Sequence, residues 1–540
     1  MSVETPNDLS TQRYTAPNWS TTAIVGAWLF ALFALWGVTS PIMSVPDEPA
    51  HTVKAASVWA GDLRGRATMI PSAVGDIPAD EVEVPEAFES THAVPGCYAA
   101  QPEVPVSCAP DMVDSSTKTT TVTTAGTYPP LFYAIVGWPS RIWANDGGAY
   151  LMRLVAAAVG AALMALAFRS VWRLLGRNGA IVAMIVMIPP TVPFLVASVN
   201  PAGLEIAAAA LWWCASLALL SSWKRDRPLE RSLVVEALVG FAVLVNIRGL
   251  SALFAALALF TVAAFVGWAQ VREVLRDKRA WFMAAVAAVP LATGVAWVLA
   301  NGQLDAVPGG KLPEGTNVVV FLMGMTDDWL RQMVAIFGWL DAGPFTAVVI
   351  AWLFALSALS VLVVLRGSRR ETVVVGLSVV ATVFLPVLMQ LTTVERDGVA
   401  WQGRYLLPYA IGVPLLMVVA GRGGAAAGPD IADSGIASSG VPAQGFMRVW
   451  TVVVVVCSAA VLWGQYSWLH RAAVGAGGPP IPLQWSGWSP PLPAPLLLVL
   501  GAVLAVVPIW SLRGARVDSE DAPVDSAEDA SDDRSDPIEI

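Results

Sequence analysis

The chain has 540 residues, of which 56% are hydrophobic and only 14% are charged. A soluble protein of this length carries nearer a quarter charged residues, so the composition excludes an ordinary soluble globular protein. The formal net charge of −9 arises from residues 517–540, which hold ten acidic residues and one arginine, and no basic domain indicates nucleic-acid binding.

Apolar runs recur along the chain at the length of helix that crosses a bilayer core, about 20 residues. They predict an all-α polytopic membrane protein with about twelve spanning helices. The N-terminal residues 1–20 lack the basic start and the cleavage site of a signal peptide, so the first run is expected to be retained. The predicted spans are 21–43, 150–170, 179–199, 202–222, 232–248, 250–271, 281–300, 343–365, 372–391, 404–420, 449–469 and 492–512.

Lys and Arg concentrate in alternate loops, and the positive-inside rule converts this bias into an orientation. It predicts that both chain ends are cytoplasmic and that the longest loop, 44–149, is extracytoplasmic. Within that loop, segment 128–143 is apolar but is interrupted by Pro139 and Arg141. Counting it as a span would move most of the basic loops outside, so we expect an interfacial helix on the outer surface. The basic loops include 169–177, 224–231, 272–279 and 366–370.

The composition divides the chain into regions. We expect a membrane core over 21–420, a Gly-, Ala- and Ser-rich cytoplasmic linker over 421–447, two further transmembrane helices within 448–512, and an acidic disordered tail over 513–540. Inside loop 44–149, "TKTTTVTT" has the composition of a strand.

Cys97 and Cys108 lie in the same polar loop. A loop outside the cytoplasm permits a disulfide between them, but the sequence leaves a disulfide and two free thiols equally open.

An acid pair follows the first span directly, in the stretch "SVPDEPAH" at 44–51. Asp47 and Glu48 stand there between two prolines. Glu48 is placed to cap a helix that has Pro49 at its first position, and one acid is sufficient for that. Two adjacent acids fixed at a membrane surface repel each other and lose hydration. The residues alone leave both interpretations open, a helix cap or a functional pair.

The helix expected after Pro49 is amphipathic. Val53, Ala56, Ala60 and Leu63 recur at helical spacing, with polar residues off that stripe. We therefore expect it to lie along the outer membrane interface.

Four motifs carry a resemblance to a known family: "PDEPAH", "WAGDLRG", "YPPLFY" and "WQGRYLLP". An acid pair after the first transmembrane helix, heading a long outer loop, resembles the GT-C superfamily of membrane glycosyltransferases, which use polyprenyl-phosphate-linked sugars. The four motifs are similar to those of one bacterial family of predicted membrane proteins, domain of unknown function 2142. The resemblance runs from about residue 20 to residue 420. Tyr128 stands where that family more often has His.

This resemblance implies a GT-C-like helical bundle in a bacterial plasma membrane with its active site on the outer face. It implies an inverting enzyme that moves a sugar from a polyprenyl-phosphate donor to a cell-envelope glycan or glycolipid. An acceptor hydroxyl needs a base, and Asp47 matches the first acid of the family pair. Glu48 would orient the acceptor or share the proton. His51, one helical turn beyond Asp47, is a weaker candidate for the same pocket.

The departing phosphate of such a donor needs cationic partners, and arginine forks suit it. Arg404 is the strongest candidate, because Gln402 and Tyr405 add donors and Trp401 offers a stacking surface. The outer face also holds Arg248, Arg153 and Lys54. The competing explanation is that these cationic side chains anchor helix ends at the membrane interface. Glu205 is expected to pair with one of the arginines. The complete set of predicted substrate-binding residues is His51, Lys54, Tyr128, Arg153, Arg248, Trp401, Gln402, Arg404 and Tyr405.

No third acid stands at a recognisable spacing from the pair, so a divalent metal is not favoured and no cofactor is expected. The expected partners are the donor lipid, a glycan or glycolipid acceptor, and membrane lipid. Two alternatives remain, a transporter or flippase and a non-catalytic envelope-assembly subunit. Carriers of the major-facilitator type have a long central cytoplasmic loop, which this sequence lacks.

Overall fold

The computed structural model describes residues 14–72, 75–305, 312, 314–343, 345–423 and 443–513. Helices dominate this part of the chain. They are α1 (Trp19–Thr39), α2 (Glu48–Ala60), α3 (Glu86–Glu89), α4 (Leu131–Val136), α5 (Asp146–Val186), α6 (Thr191–Val196), α7 (Pro201–Ser222), α8 (Arg231–Leu244), α9 (Ser251–Val266), α10 (Trp268–Leu275), α11 (Lys278–Ala300), α12 (Val318–Gly324), α13 (Thr326–Ala335), α14 (Thr346–Arg366), α15 (Arg369–Asp397), α16 (Leu407–Ala410), α17 (Gly412–Arg422), α18 (Ala443–Val474) and α19 (Ala494–Arg513).

Nine helices of the described chain are long and apolar enough to cross a membrane, or ten if the bent pair α9 and α10 forms one span. The prediction of an all-α polytopic membrane protein is confirmed, although this count is below the predicted number of spans. The 14-residue α8, at the predicted span 232–248, is shorter than the roughly 20 residues that a straight span requires.

The long helix α5 contains the predicted span 150–170 and the first part of the predicted span 179–199. Its backbone departs from helical geometry at Gly176, with φ 66° and ψ −177°. Arg153 Nε and the backbone N–H of Val199 both donate to Glu48 Oε1, at 2.7 and 3.0 Å. The chain between residues 153 and 199 therefore runs away from Glu48 and returns to it, so the single helix α5 belongs to two passes through the bundle.

The predicted span 250–271 is wrong as a single straight helix. It breaks at Gly267, and α10 turns by 115° from α9. Gly267 has φ 90°, a backbone conformation that residues with a side chain rarely adopt, so glycine suits this bend.

Residues 44–145, which we call the loop domain, contain the described strands. β1 (Arg66–Ile70), β2 (Ile77–Pro85) and β3 (Lys118–Thr123) form one antiparallel sheet in the order β1–β2–β3. The strand expected in "TKTTTVTT" is thus confirmed. Segment 128–143 forms α4 and the short 3₁₀ turn Trp138–Arg141, and it does not span, as expected.

The expectation of a surface-lying amphipathic α2 is wrong. Its residues from Glu48 to Ser57 are all buried. Thr123 Oγ1 donates to Ala50 O at 2.7 Å, and Lys54 Nζ donates to Gly126 O at 2.8 Å. The sheet therefore covers the polar side of α2, which lies inside the loop domain.

A disulfide joins Cys97 and Cys108, whose Cα atoms are 6.1 Å apart. Arg471 at the end of α18 holds this loop, since Nη2 donates to Tyr98 O and Nη1 to Val104 O, both at 3.0 Å. Arg471 also pairs with Asp341 at 2.7 Å. The C-terminal helices therefore help to fix the loop domain.

Most of the predicted linker and nearly all of the acidic tail lie outside the described residues. The same is true of residues 1–13. At the two sides of the predicted linker, α17 extends to Arg422 and α18 begins at Ala443.

Candidate functional site

Asp47 lies at the junction between α1 and α2, where the backbone turns sharply. It has φ 66° and ψ 1°, a left-handed conformation that costs energy for residues other than glycine. It takes the N-cap position of α2, but its side chain makes no cap hydrogen bond. The carboxylate is half exposed, so it is accessible and is not used to cap the helix.

Arg404 is the ion-pair partner of Asp47. Its Nη2 lies 2.5 Å from Asp47 Oδ2, and its Nη1 donates to Pro46 O at 3.1 Å. The Arg404 side chain is only 5% exposed, in contrast to the half-exposed Asp47. A mostly buried guanidinium therefore meets an accessible carboxylate, from a segment 357 residues away in the chain.

Tyr405 separates two guanidinium groups. Its ring centroid lies 5.3 Å from Arg404 Cζ and 4.7 Å from Arg248 Cζ, within the range of cation–π attraction. Trp401 meets the same ring edge-on at 5.7 Å. Arg248 pairs with Glu205 at 3.2 Å, which confirms the expected pairing of that acid. Arg404 and Arg248 therefore both lie close to Asp47.

Polar atoms without partners concentrate on the turn that carries Arg404. Among the described residues, Arg404 Nε, Trp401 Nε1 and Gln402 Oε1 are buried and have no hydrogen-bond partner. The turn itself is fixed by Gln332 on α13, whose Oε1 accepts from the Gly403 N–H at 2.7 Å. Buried polar atoms without a hydrogen-bond partner are rare in folded proteins. Their clustering on this turn indicates that a ligand or water supplies the missing hydrogen bonds.

His51 and Tyr128 form the aromatic side of the site. Their rings meet edge-on at 5.2 Å, and His51 Nδ1 lies 2.9 Å from Tyr133 Oη. Burial lowers the pKa of His51 to about 3; Asp47 opposes this shift, while Arg248 reinforces it. The imidazole is therefore neutral near pH 7 and acts as a hydrogen-bonding group.

The pKa of the Asp47 carboxyl is set by opposing effects. Partial loss of hydration would raise it, but the positive charges of Arg404 and Arg248 hold the pKa below the usual aspartate value. Asp47 is therefore ionised near pH 7 and is a weak base while Arg404 remains its partner.

Glu48, the neighbour of Asp47, has a different environment. It is the first helical residue of α2, not the N-cap as expected, and its side chain is completely buried. Its Oε1 and Oε2 accept from Arg153 Nε at 2.7 Å and Nη2 at 2.6 Å. Arg153 also donates to carbonyl oxygens at the end of α1, those of Gly37, Ser40 and Pro41. The structure thus brings Glu48 and Arg153 together, in an enclosed pair that leaves neither side chain open to a substrate.

The Lys54 side chain forms hydrogen bonds within the loop domain. Its ammonium donates to Leu63 O and Gly126 O, and burial lowers its pKa to about 8. Of the predicted substrate-binding residues, those assembled beside Asp47 are therefore His51, Tyr128, Arg248, Trp401, Gln402, Arg404 and Tyr405.

Sequence reasoning missed Tyr133 and Gln332. Tyr133 ends the "YPPLFY" motif, so its place in that motif was an available signal. Gln332 offered no local signal, because it acts on a turn that lies 71 residues further along the chain.

No group of three or more His, Cys, Asp or Glu residues in the described ranges is arranged to hold a metal ion. Both oxygens of Glu48 are already engaged by Arg153. The absence of a cofactor remains a prediction.

Comparison with known proteins gives a structural likeness and a family. The crystal structure of ArnT from Cupriavidus metallidurans bound to undecaprenyl phosphate matches with a TM-score of 0.35 and 12% sequence identity, over 86% of this chain and 76% of that chain. No curated protein matches the sequence. The family described as "Predicted membrane protein (DUF2142)" matches residues 30–413, which is most of the chain. The protein therefore belongs to the DUF2142 family of predicted membrane proteins.

Proposed function

We propose that this protein is an inverting membrane glycosyltransferase that transfers a sugar from a polyprenyl-phosphate donor to a cell-envelope glycan or glycolipid. The observation that carries the proposal is the half-exposed Asp47 carboxylate beside the buried Arg404, at one end of a membrane bundle. A base next to fixed cations suits acceptor activation and phosphate departure in one place. The motif resemblance to polyprenyl-phosphate-dependent transferases supports the same chemistry.

The proposed reaction is a single displacement at the anomeric carbon. The acceptor oxygen forms a bond to that carbon, and the bond from the carbon to the phosphate oxygen breaks. The acceptor proton passes to the Asp47 carboxylate, and polyprenyl phosphate leaves with the bonding electron pair. One displacement inverts the configuration at the anomeric carbon.

The two arginines would hold the donor phosphate. In the free protein, Arg404 is paired with Asp47, so an incoming phosphate competes with that carboxylate for the same guanidinium. When the phosphate takes this place, Asp47 loses the charge that lowers its pKa and becomes a stronger base. Donor binding would thereby activate the base. Arg248, across the Tyr405 ring, would supply the second cation.

The remaining residues take supporting roles in this proposal. His51 and Tyr128 would hydrogen-bond the acceptor or sugar, and Trp401 with Gln402 would contact the donor. Glu48 would act through Arg153 as a positioning residue that fixes the turn carrying Asp47.

Deleting the gene tests the function. We expect the deletion strain to accumulate one polyprenyl-phosphate sugar and to lose the matching sugar from an envelope glycan or glycolipid. Mass spectrometry of extracted lipids and glycan composition analysis provide the two readouts. A wild-type copy of the gene is the control and should reverse both changes. Unchanged lipid-linked sugars together with a complete glycan set would contradict the proposal.

We also propose that the Asp47 end of the bundle faces away from the cytoplasm. The disulfide in the loop domain supports this, because disulfides persist in oxidising compartments. Arg173 pairs with Glu230 beside the basic segment 224–231, roughly 30 Å along α5 from Arg153. The basic loops therefore lie at the opposite end, as the positive-inside rule requires of a cytoplasmic face.

Thiol labelling tests this orientation. Ala60→Cys, on the exposed end of α2, is expected to react with a membrane-impermeant maleimide on intact cells. Ala269→Cys, exposed on α10, is the matched control and should react only after lysis. The native cysteines interfere little, since Cys214 and Cys457 are buried and the other two are bonded. The reverse labelling pattern would refute the orientation.

A further inference from the structure

A charged cleft lies at the end of the bundle opposite to Asp47. Its volume is about 450 Å³. One wall is the loop after α7 and the other wall is α10. The residues that line it are Arg225, Asp226, Ala269, Arg272, Glu273 and Arg276.

The helix α10 has two distinct faces. Ala269, Arg272, Glu273 and Arg276 follow the i, i+3, i+4, i+7 spacing and face the cleft together. Trp268 and Leu275 lie on the adjoining side, next to Arg272, and they are 63% and 47% exposed. The Arg272 guanidinium lies 5.7 Å from the centroid of the Trp268 ring. A short helix with one cationic and one apolar side has the pattern of helices that lie in a membrane interface.

The orientation of α10 fits that location. It turns by 115° from α9, which packs against the spanning helix α7, so it runs across the end of the bundle. Gln270 Nε2 fixes it there by donating to Leu220 O and Trp223 O, at the end of α7, at 2.9 and 2.8 Å.

The backbone of the facing loop is held by Arg279. Arg279 donates to the backbone oxygens of Lys224, Arg225 and Arg227, so these carbonyls point towards Arg279. Arg279 is itself paired with Asp277. The side chains of residues 224–228 are exposed.

The cleft has an excess of unpaired positive charge. Within the described ranges, Arg225, Arg272 and Arg276 form no ion pair, and Glu273 accepts from the backbone N–H of Arg225 at 3.1 Å. Three guanidinium groups thus surround a volume that holds only two acids, one of which is already hydrogen-bonded.

We propose that this cleft binds the phosphate-bearing headgroup of an anionic phospholipid, with the acyl chains against Trp268 and Leu275. Guanidinium forks match phosphate oxygens in geometry and charge. Basic loops are attracted to any anionic membrane surface, and this attraction does not require a cleft. Selective binding of one type of lipid headgroup does require one. This site is separate from the proposed transfer reaction and does not depend on it.

Lipid retention by the purified full-length chain tests the proposal. The protein is equilibrated with phosphatidylglycerol or with phosphatidylcholine in detergent, and bound lipid is measured by native mass spectrometry. We expect Arg272→Ala with Arg276→Ala to weaken phosphatidylglycerol binding about 25-fold, because each cation near an anionic surface contributes roughly fivefold. Phosphatidylcholine retention should not change.

The matched control removes the same charge from the same end of the bundle. Arg231→Ala with Arg369→Ala takes two exposed arginines outside the cleft. This variant should retain phosphatidylglycerol like the wild type. Equal losses in the two double variants would refute a defined headgroup site. Displacement of the lipid by an equal concentration of inorganic phosphate would assign the cleft to free phosphate and likewise overturn the proposal.

Discussion

Asp47→Asn is expected to lower sugar transfer by roughly 10²–10⁴-fold, the range that a positioned general base contributes. The amide keeps the shape of the side chain and still accepts a hydrogen bond from Arg404, but it cannot take the acceptor proton. Transfer should be measured in membranes of the deletion strain that express the variant, with the accumulated lipid-linked sugar as donor.

Protein amount and thermal unfolding midpoint are the controls for this variant. Protein amount should match the wild type. The midpoint should fall by less than in variants of the completely buried Glu48–Arg153 pair, because Asp47 is half exposed and its replacement is isosteric. A folded Asp47→Asn protein with normal turnover would rule out this residue as the base.

The pH profile gives a second readout of the same assignment. The pKa of Asp47 lies below its usual value, so the wild-type carboxylate stays ionised as the pH falls towards that range. Removing Arg404 takes away a cause of the lowered pKa, so in Arg404→Ala the acid limb of kcat/KM should move to higher pH. Arg66→Ala, which removes an exposed arginine of the loop domain, should leave the limb in place. An acid limb that does not move in Arg404→Ala would contradict the assignment.

The two acids of the pair show where sequence reasoning stops. Their position after the first span could be predicted from the sequence, since an apolar run ends just before them. Their different environments could not be predicted, because Arg153 is 105 residues from Glu48 and Arg404 is 357 residues from Asp47. Local spacing cannot decide which neighbour is enclosed by a distant arginine and which remains open.

The helices show the same distinction between local and long-range information. The predicted span 202–222 matches α7, because one apolar run contains the whole element. The surface position expected for α2 was wrong, because periodicity detects one apolar stripe and cannot reveal that a sheet and distant carbonyls cover the polar side. The bend at Gly267 was missed for a related reason, since Trp268, Ala269 and Val271 extend the apolar run past the glycine.

The buried pair Glu48–Arg153 is expected to have the largest effect on stability. Arg153 directs its guanidinium nitrogens to Glu48 and to three carbonyl oxygens of the α1 end, and the two side chains are 0% and 2% exposed. Removing one partner of a buried pair leaves an uncompensated charge, which costs about 3–5 kcal/mol. Glu48→Leu and Arg153→Met should therefore each lower the thermal unfolding midpoint strongly.

The double variant distinguishes the loss of the ion pair from the loss of side-chain packing. Glu48→Leu together with Arg153→Met leaves no unpaired charge, so its loss of stability should be smaller than the sum of the two single losses. Breaking the exposed pair by Arg66→Ala should leave the midpoint unchanged, as expected for a surface ion pair. Additive losses in the double variant would show that the two side chains act independently. In that case the pair could not be the element that fixes the turn on which Asp47 depends.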